Sequence, residues 1–151
     1  IPMRPPPSAA RVRPVADADL AAVAGLMGEL GYPATPEQLR ARLDRVAGDD
    51  GYAAYVAEVD GRVAGFLGLQ RGWAYEHERP YARIISLVVD TEVRRRGVGA
   101  RLVEFADQWA RERGAYALML NTNVRREEAH LFYESMGFSR TGYRYARAYE
   151  E

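Results

Sequence analysis

Apolar positions along the chain recur at two spacings, and each switch between them marks an element boundary. Arg11-Val12-Arg13-Pro14-Val15 alternates polar and apolar residues, and its internal proline suits a short edge strand. Leu20, Val23, Ala24 and Met27 then repeat at helical spacing, with Asp17 as the expected cap and Gly31 as the stop. Thr35, Pro36 and Gln38 supply a capping box and a preset first turn for a second helix carrying Leu39, Leu43 and Val46. Residues 52–59 and 62–69 are rich in strand formers and flank Asp60-Gly61, which supplies the positive φ angles of a tight hairpin. A polar loop, Gly72–Pro80, follows.

The run Ile84-Ile85-Ser86-Leu87-Val88-Val89 predicts a central strand buried on both faces. A long helix is expected from Gly97 to about Arg113, stopped by Gly114, with Leu102, Phe105, Ala106 and Trp109 turned to the sheet. Residues 116–120 predict a further buried strand. Because a helix separates it from residues 84–89, the two should be parallel neighbours joined by a right-handed crossover. Ala129, Phe132, Tyr133 and Met136 mark a last helix ending at Gly137. From Phe138 a final strand is expected, alternating through Tyr143, Tyr145, Arg147 and Tyr149.

With 151 residues, 48% apolar and 28% charged, the chain suits one globular domain, without repeats or a linker. Residues 1–9, where Ile1 and Pro2 precede Met3 and Pro5-Pro6-Pro7 follows, read as a disordered, polyproline-type lead-in; the fold is expected over residues 10–151. All 21 basic residues are arginine and are balanced by 21 acidic ones, which disfavours a generally basic nucleic-acid protein. Without lysine there is no Schiff-base chemistry, and without cysteine no thiol nucleophile, disulfide or thiolate metal site. His77 and His130, with scattered carboxylates, form no recognisable metal shell, so no required metal is expected. No apolar run has the length of a membrane span, and a soluble, cytoplasmic protein is the expectation.

The stretch richest in chemistry runs from Val88 to Leu102, where a buried strand passes through Arg94-Arg95-Arg96 and Gly97-Val98-Gly99 into a helix. A helix start offers free N–H groups and partial positive charge, and glycine lets a phosphate approach the backbone. Arginines add charge-assisted contacts. The same run also reads as a solvated face capping a helix. Two other phosphate motifs are excluded: no Gly-Lys-Ser/Thr follows, and Leu102 stands where a dinucleotide fingerprint needs its third glycine.

Arg94-Arg95-Arg96-Gly97-Val98-Gly99 resembles the Gln/Arg-x-x-Gly-x-Gly/Ala signature of the GNAT N-acetyltransferase superfamily. Ala129 through Tyr133 to Gly137-Phe138 resembles that superfamily's Ala-x-x-x-Tyr-x-x-x-Gly-Phe helix end. The stretch Leu120-Asn121-Thr122-Asn123-Val124-Arg125-Arg126, with Ala129-His130-Leu131-Phe132-Tyr133, looks most like the aminoalkylphosphonate N-acetyltransferase branch. The resemblance implies a mixed α/β fold: a mostly antiparallel central sheet with one parallel strand pair, flanked by about four helices. It also implies acetyl-CoA as cosubstrate, held by Leu87, Val88 and Val89 on the strand and by Arg94, Arg95, Arg96, Gly97, Val98, Gly99 and Ala100 at the turn.

Transfer to an amine requires a neutral amine, a polarised thioester carbonyl and a proton for the departing thiolate. The resemblance makes Tyr133 the general acid and a cofactor contact, although its place in the apolar helical stripe also suits an ordinary core aromatic. A backbone N–H of Val88 or Val89 is the candidate for polarising the carbonyl. Arg83 stands where some protein-acetylating relatives carry a strand glutamate as base, leaving Glu76, Glu78 or His77 as candidates working through water; that trio also reads as a solvated loop. Asn123 and Arg126 are candidate cofactor contacts, with turn formation and capping as Asn123's other reading. The expected function is direct acetyl transfer to a small primary amine. The alternatives are a non-catalytic acyl-CoA-binding or regulatory module and a nucleic-acid contact through Arg94–Arg96. The tyrosines of the last strand suggest a homodimer edge.

Overall fold

The computed structural model describes residues 10–93, 97–122 and 126–150. They form two compact units, residues 10–120 and residues 121–150.

The larger unit is built on a five-stranded sheet whose spatial order follows the chain: β1 (Arg11–Pro14), β2 (Tyr52–Val59), β3 (Arg62–Gly72), β4 (Tyr81–Val89) and β5 (Leu118–Leu120). The first three pairings are antiparallel and the last is parallel. This is the mixed sheet that the hairpin signal and the helical crossover demand. Asp60 and Gly61 both take positive φ, at 52° and 75°, so the hairpin turns on the two residues expected of it.

Helices α1 (Leu20–Leu30) and α2 (Pro36–Val46) cover one face, where Leu20, Val23, Leu26 and Leu39 pack with Val56, Phe66 and Val88. The register places Val56, Phe66 and Val88 side by side, and Tyr55, Leu67 and Leu87 on the opposite face. That second face receives α3 (Val98–Glu112), where Phe105 meets Tyr55 at a ring separation of 4.5 Å. Leu102, Ala106 and Trp109 are buried with it, as their spacing predicts. The box at α2 is complete: the Gln38 N–H donates to Thr35 Oγ1 at 3.1 Å, and the Thr35 N–H to Gln38 Oε1 at 2.9 Å.

Four expectations are corrected. The buried strand expected over residues 116–120 forms only at Leu118–Leu120, whose residues are half-buried. Asp17 does not cap α1. Residues Asp17–Asp19 form a 3-10 turn; Asp19 is the N-cap of α1 but makes no side-chain capping bond, and its carboxylate instead accepts from the Ala16 N–H at 2.8 Å. The Ile84–Val89 strand begins earlier, at Tyr81, and is not buried throughout: Ile84 and Val88 are buried, but Ile85 is 48% exposed. The final strand is absent: residues 138–150 have no regular structure, and Tyr143, Tyr145 and Tyr149 are exposed. Alternation prepares a strand, but only a ladder partner completes one. The smaller unit is described by α4 (Glu127–Ser135) and the turn that closes it.

Asp19, only 5% exposed, accepts two hydrogen bonds from Arg13, at 2.7 and 3.0 Å, and Arg13 also reaches Glu58 at 3.1 Å. Arg13 holds the Asp19 carboxyl below its ordinary value of 3.8; burial opposes this and the Ala16 amide assists it. A depressed carboxylate stabilises the fold above its unfolded value, and this contribution disappears as pH falls through the folded value. Asp19→Asn should therefore lower the Tm by several degrees at pH 7. The gap from wild type should close as the pH falls below about 4, measured by thermal melts across pH.

Candidate active site

Strand β4 and the start of α3 form the chemically distinctive corner of the larger unit. Opposite Gly68 and Leu69 the partners jump from Ser86 to Ile84, so Ile85 is an extra residue, a β-bulge in β4. Pairing with β5 covers only Ala82, Arg83 and Ile84, opposite Leu118, Met119 and Leu120, whereas β4 runs on to Val89. Among the described residues, β4 beyond Ile84 has no strand on that side. The Asp90 N–H donates to the Ala64 carbonyl at 2.8 Å, which fixes the alternation of the antiparallel ladder. Val88 therefore directs its backbone groups toward β3, and Leu87 and Val89 direct theirs to the open edge.

The turn after β4 is tied down from both sides. Arg62 lies 3.6 Å from Asp90 and 3.5 Å from Glu92, and Thr91 Oγ1 donates to Glu29 at 3.4 Å. A second 3-10 turn, Thr91–Val93, buries Val93. Gly97 then occupies the N-cap of α3 in the left-handed region, at φ 79°, with no side chain to cap the helix. The first helical bond runs from the Arg101 N–H to the Gly97 carbonyl at 3.0 Å, so the amides of Val98, Gly99 and Ala100 precede the intrahelical ladder. They head a helix of 15 residues, whose dipole adds partial positive charge.

A second glycine sets how closely α3 approaches the sheet. A Cβ on Gly65 would lie 2.9 Å from Leu102 Cδ1, 3.3 Å from the Val88 carbonyl oxygen and 3.4 Å from Val98 Cγ1. The missing side chain lets the first turn of α3 settle against β3 beside the open edge of β4. Gly65 is a positioning residue that reasoning from the sequence missed. Its only local signal was a glycine inside a strand pattern.

Leu87, Val88, Val89, Gly97, Val98, Gly99 and Ala100 are thus gathered on one strand, turn and helix start. Arg94, Arg95, Arg96 and Asn123 lie outside the described residues. Glu76 and Glu78 are exposed on the loop between β3 and β4, and His77 stacks on Tyr116 at 3.8 Å. Among the described residues, no three His, Asp or Glu side chains are grouped to hold a metal ion, and no helix is long and apolar enough to cross a membrane.

In the smaller unit, Tyr133 is half-buried on α4. Gly137, at φ 94°, closes the helix: its N–H donates to Glu134 at 3.1 Å, and the Phe138 N–H donates to the Tyr133 carbonyl at 3.1 Å. This is a Schellman cap, and the Phe138 ring folds back edge-on to Tyr133 at 5.9 Å. The Gly-Phe pair therefore pins the tyrosine. Burial pushes the Tyr133 phenol above its ordinary value of 10.0, against the opposing charge of Arg126. Arg126 is the N-cap of α4 and makes no side-chain capping bond.

A strand with an open edge, leading through an uncapped glycine turn into a long helix, brings two sets of backbone amides together at one corner. Residues 21–138 match the Acetyltransferase (GNAT) family, and the chain belongs to that family. It is 30% identical over 126 residues to the aminoalkylphosphonate N-acetyltransferase of Salmonella typhimurium, covering 78% of this chain and 82% of that protein. Similarity to the human N-acetyltransferase 8 is 34% over 97 residues, 61% of this chain and 40% of that one. The fold is shared with a GNAT family acetyltransferase of Staphylococcus aureus: TM-score 0.79, 22% identity, 93% of this chain and 98% of the other. It is also shared with the glucosamine-6-phosphate N-acetyltransferase of Arabidopsis thaliana: TM-score 0.80, 21% identity, 95% of this chain and all of the other.

The glycines give a direct test of this geometry. Gly65→Ala should cost about 1–3 kcal/mol by overpacking the α3 contact, and Gly97→Ala about 1–2 kcal/mol from its left-handed backbone. Gly28, in α1, has open space where a Cβ would go. Gly28→Ala should instead stabilise by about 0.5–1 kcal/mol. Urea denaturation of the three variants reads all three effects.

Proposed function

We propose that this chain transfers an acetyl group from acetyl-CoA directly to a small primary amine. The observation that carries the reading is the open edge of β4 running into the uncapped start of α3. A diphosphate fits the donor set there: three consecutive amides, a helix dipole, and glycines at 97 and 99 that place no Cβ in its way. Leu87 and Val89 offer their backbone groups to an extended arm in the manner of an added strand. Arg94, Arg95, Arg96, Asn123 and Arg126 supply further charge and polar contacts to the cosubstrate in this reading.

The reaction forms a C–N bond from the amine to the thioester carbonyl carbon and breaks the C–S bond. The Val89 N–H, directed to the open edge, takes the role of polarising the carbonyl; the Val88 N–H is committed to β3. Tyr133 gives its proton to the departing thiolate. Its raised pKa suits an acid that must stay protonated at neutral pH. The amine loses its proton through water to Glu76 or Glu78, both open to solvent. With no cysteine in the chain, no acyl-cysteine enzyme forms, and both substrates are held together.

Acetyl-CoA consumption across a panel of primary amines tests the reading. Wild type should acetylate at least one amine, and Tyr133→Phe should lower kcat about 10²–10⁴-fold while CoA binding by calorimetry is retained. The rate should rise with pH as the amine deprotonates, and any descending limb from Tyr133 should have its midpoint above pH 10.0, because burial raises its pKa. CoA binding without turnover of any amine would instead describe an acyl-CoA-binding module. Absence of CoA binding would overturn both.

A further inference from the structure

Gly68 lies in the interior of β3, opposite Ser86 on β4 and next to the point where the register of the two strands breaks. Glycine weakens a strand interior, because it packs no side chain and loses more conformational freedom on folding than any other residue. Backbone conformation does not require it here: φ is positive at Gly61 and Gly97 but not at Gly68. Space does require it. A Cβ on Gly68 would lie 3.3 Å from Ser86 Cβ, 3.4 Å from Ile85 Cγ1 and 3.7 Å from Phe66 Cε2. Side chains directly opposite each other in an antiparallel pair ordinarily hold their Cβ atoms about 4.5–5.5 Å apart.

The two nearest of those atoms belong to the bulge and its neighbour. Ile85 is the extra residue of β4, and Ser86 is the first residue after it to regain a partner on β3. Ser86 Cβ is fixed to its own backbone and cannot swing aside, so a methyl group on residue 68 is admitted only if β4 moves away from β3 at residues 85–86. Leu87 follows at once, paired with Leu67 beside Gly68, and it is the first residue of β4 to direct its backbone groups to the open edge. The side chain missing from Gly68 therefore governs where that edge begins.

We infer that Gly68 is a positioning residue for acyl transfer, whose bare backbone seats the β4 bulge and so aims Leu87 and Val89 at the acyl arm. The inference rests on the acetyl transfer proposed above. The diphosphate corner is anchored separately, by Gly97 at the start of α3 and by the ties from Arg62 and Glu29 to the turn before it. A side chain at residue 68 then displaces the reacting carbonyl while the far end of the cosubstrate stays held. Its effect falls on kcat more than on CoA binding.

The test compares Gly68→Ala, Ser86→Gly and the double variant. Gly68→Ala should lower kcat about 10- to 100-fold, while its Kd for CoA by calorimetry stays within about threefold of wild type. Ser86→Gly should transfer acetyl groups at close to the wild-type rate. The double variant should recover most of the lost rate, because removing Ser86 Cβ clears the nearest contact. Two independent structural losses would instead add. An unchanged kcat in Gly68→Ala, or additive losses in the double variant, overturns the inference. If Gly68→Ala does not fold, judged by its thermal melt, the double variant decides: recovery of fold and rate supports the contact, and failure to recover overturns it. If wild type acetylates no amine, the transferase reading has failed, and amide hydrogen exchange in the free protein tests the seating of the bulge alone. The Val88 N–H, bonded to β3, should exchange slowly and those of Leu87 and Val89 fast. Loss of that contrast in Gly68→Ala supports the seating, and an unchanged contrast overturns it.

Discussion

Every backbone amide in a sheet needs an acceptor, and a strand that outruns its neighbour leaves some of them waiting for one. Strand β4 does this over Ile85–Val89, because β5 stops pairing at Ile84. The bulge at Ile85 belongs to the same event. It shifts the alternation by one residue, so that Ile84 faces β5 while Leu87 and Val89 face the gap. Without the extra residue the strand would present the other set of groups. The open edge is thus a product of hydrogen-bond accounting across three strands, and the acyl-binding function proposed for this chain depends on it.

The helix that follows extends the same principle. Its first amides precede the intrahelical ladder, and Gly97, being glycine, brings no side chain to cap them. The ties from Arg62 and Glu29 to residues 90–92 hold the turn, and Gly65 sets how far α3 descends onto β3. Two kinds of free amide, one set from a strand edge and one from a helix start, are therefore joined by a short anchored turn. Such a pairing suits a ligand with an extended polar arm at one end and a diphosphate at the other.

On the sheet face the Tyr81 ring fills the space beside Gly72 and lies 5.5 Å from the Arg83 guanidinium carbon. Tyr133, in the smaller unit, is held by a different device, the Schellman cap that brings Phe138 back onto its ring.

Features whose causes lie within a few residues were legible in the sequence. The Asp60-Gly61 turn, the Thr35/Gln38 box and the Gly137 helix end each close a contact over five residues or fewer, so the residue types alone carry them. The Gly97 corner and the Tyr133 helix were legible for the same reason. Asp17 and Asp19 were two residues apart, and only the position of Arg13 on β1 decided that Asp19 would be the buried, paired carboxylate. The tertiary structure alone decided the bulge at Ile85, the early end of β5, and the Gly65 and Leu102 approach. It also left the alternating tyrosines of residues 138–150 without a ladder. In each of these the partner, or its absence, lies on another strand or helix, and spacing along one segment carries no record of what will stand opposite it.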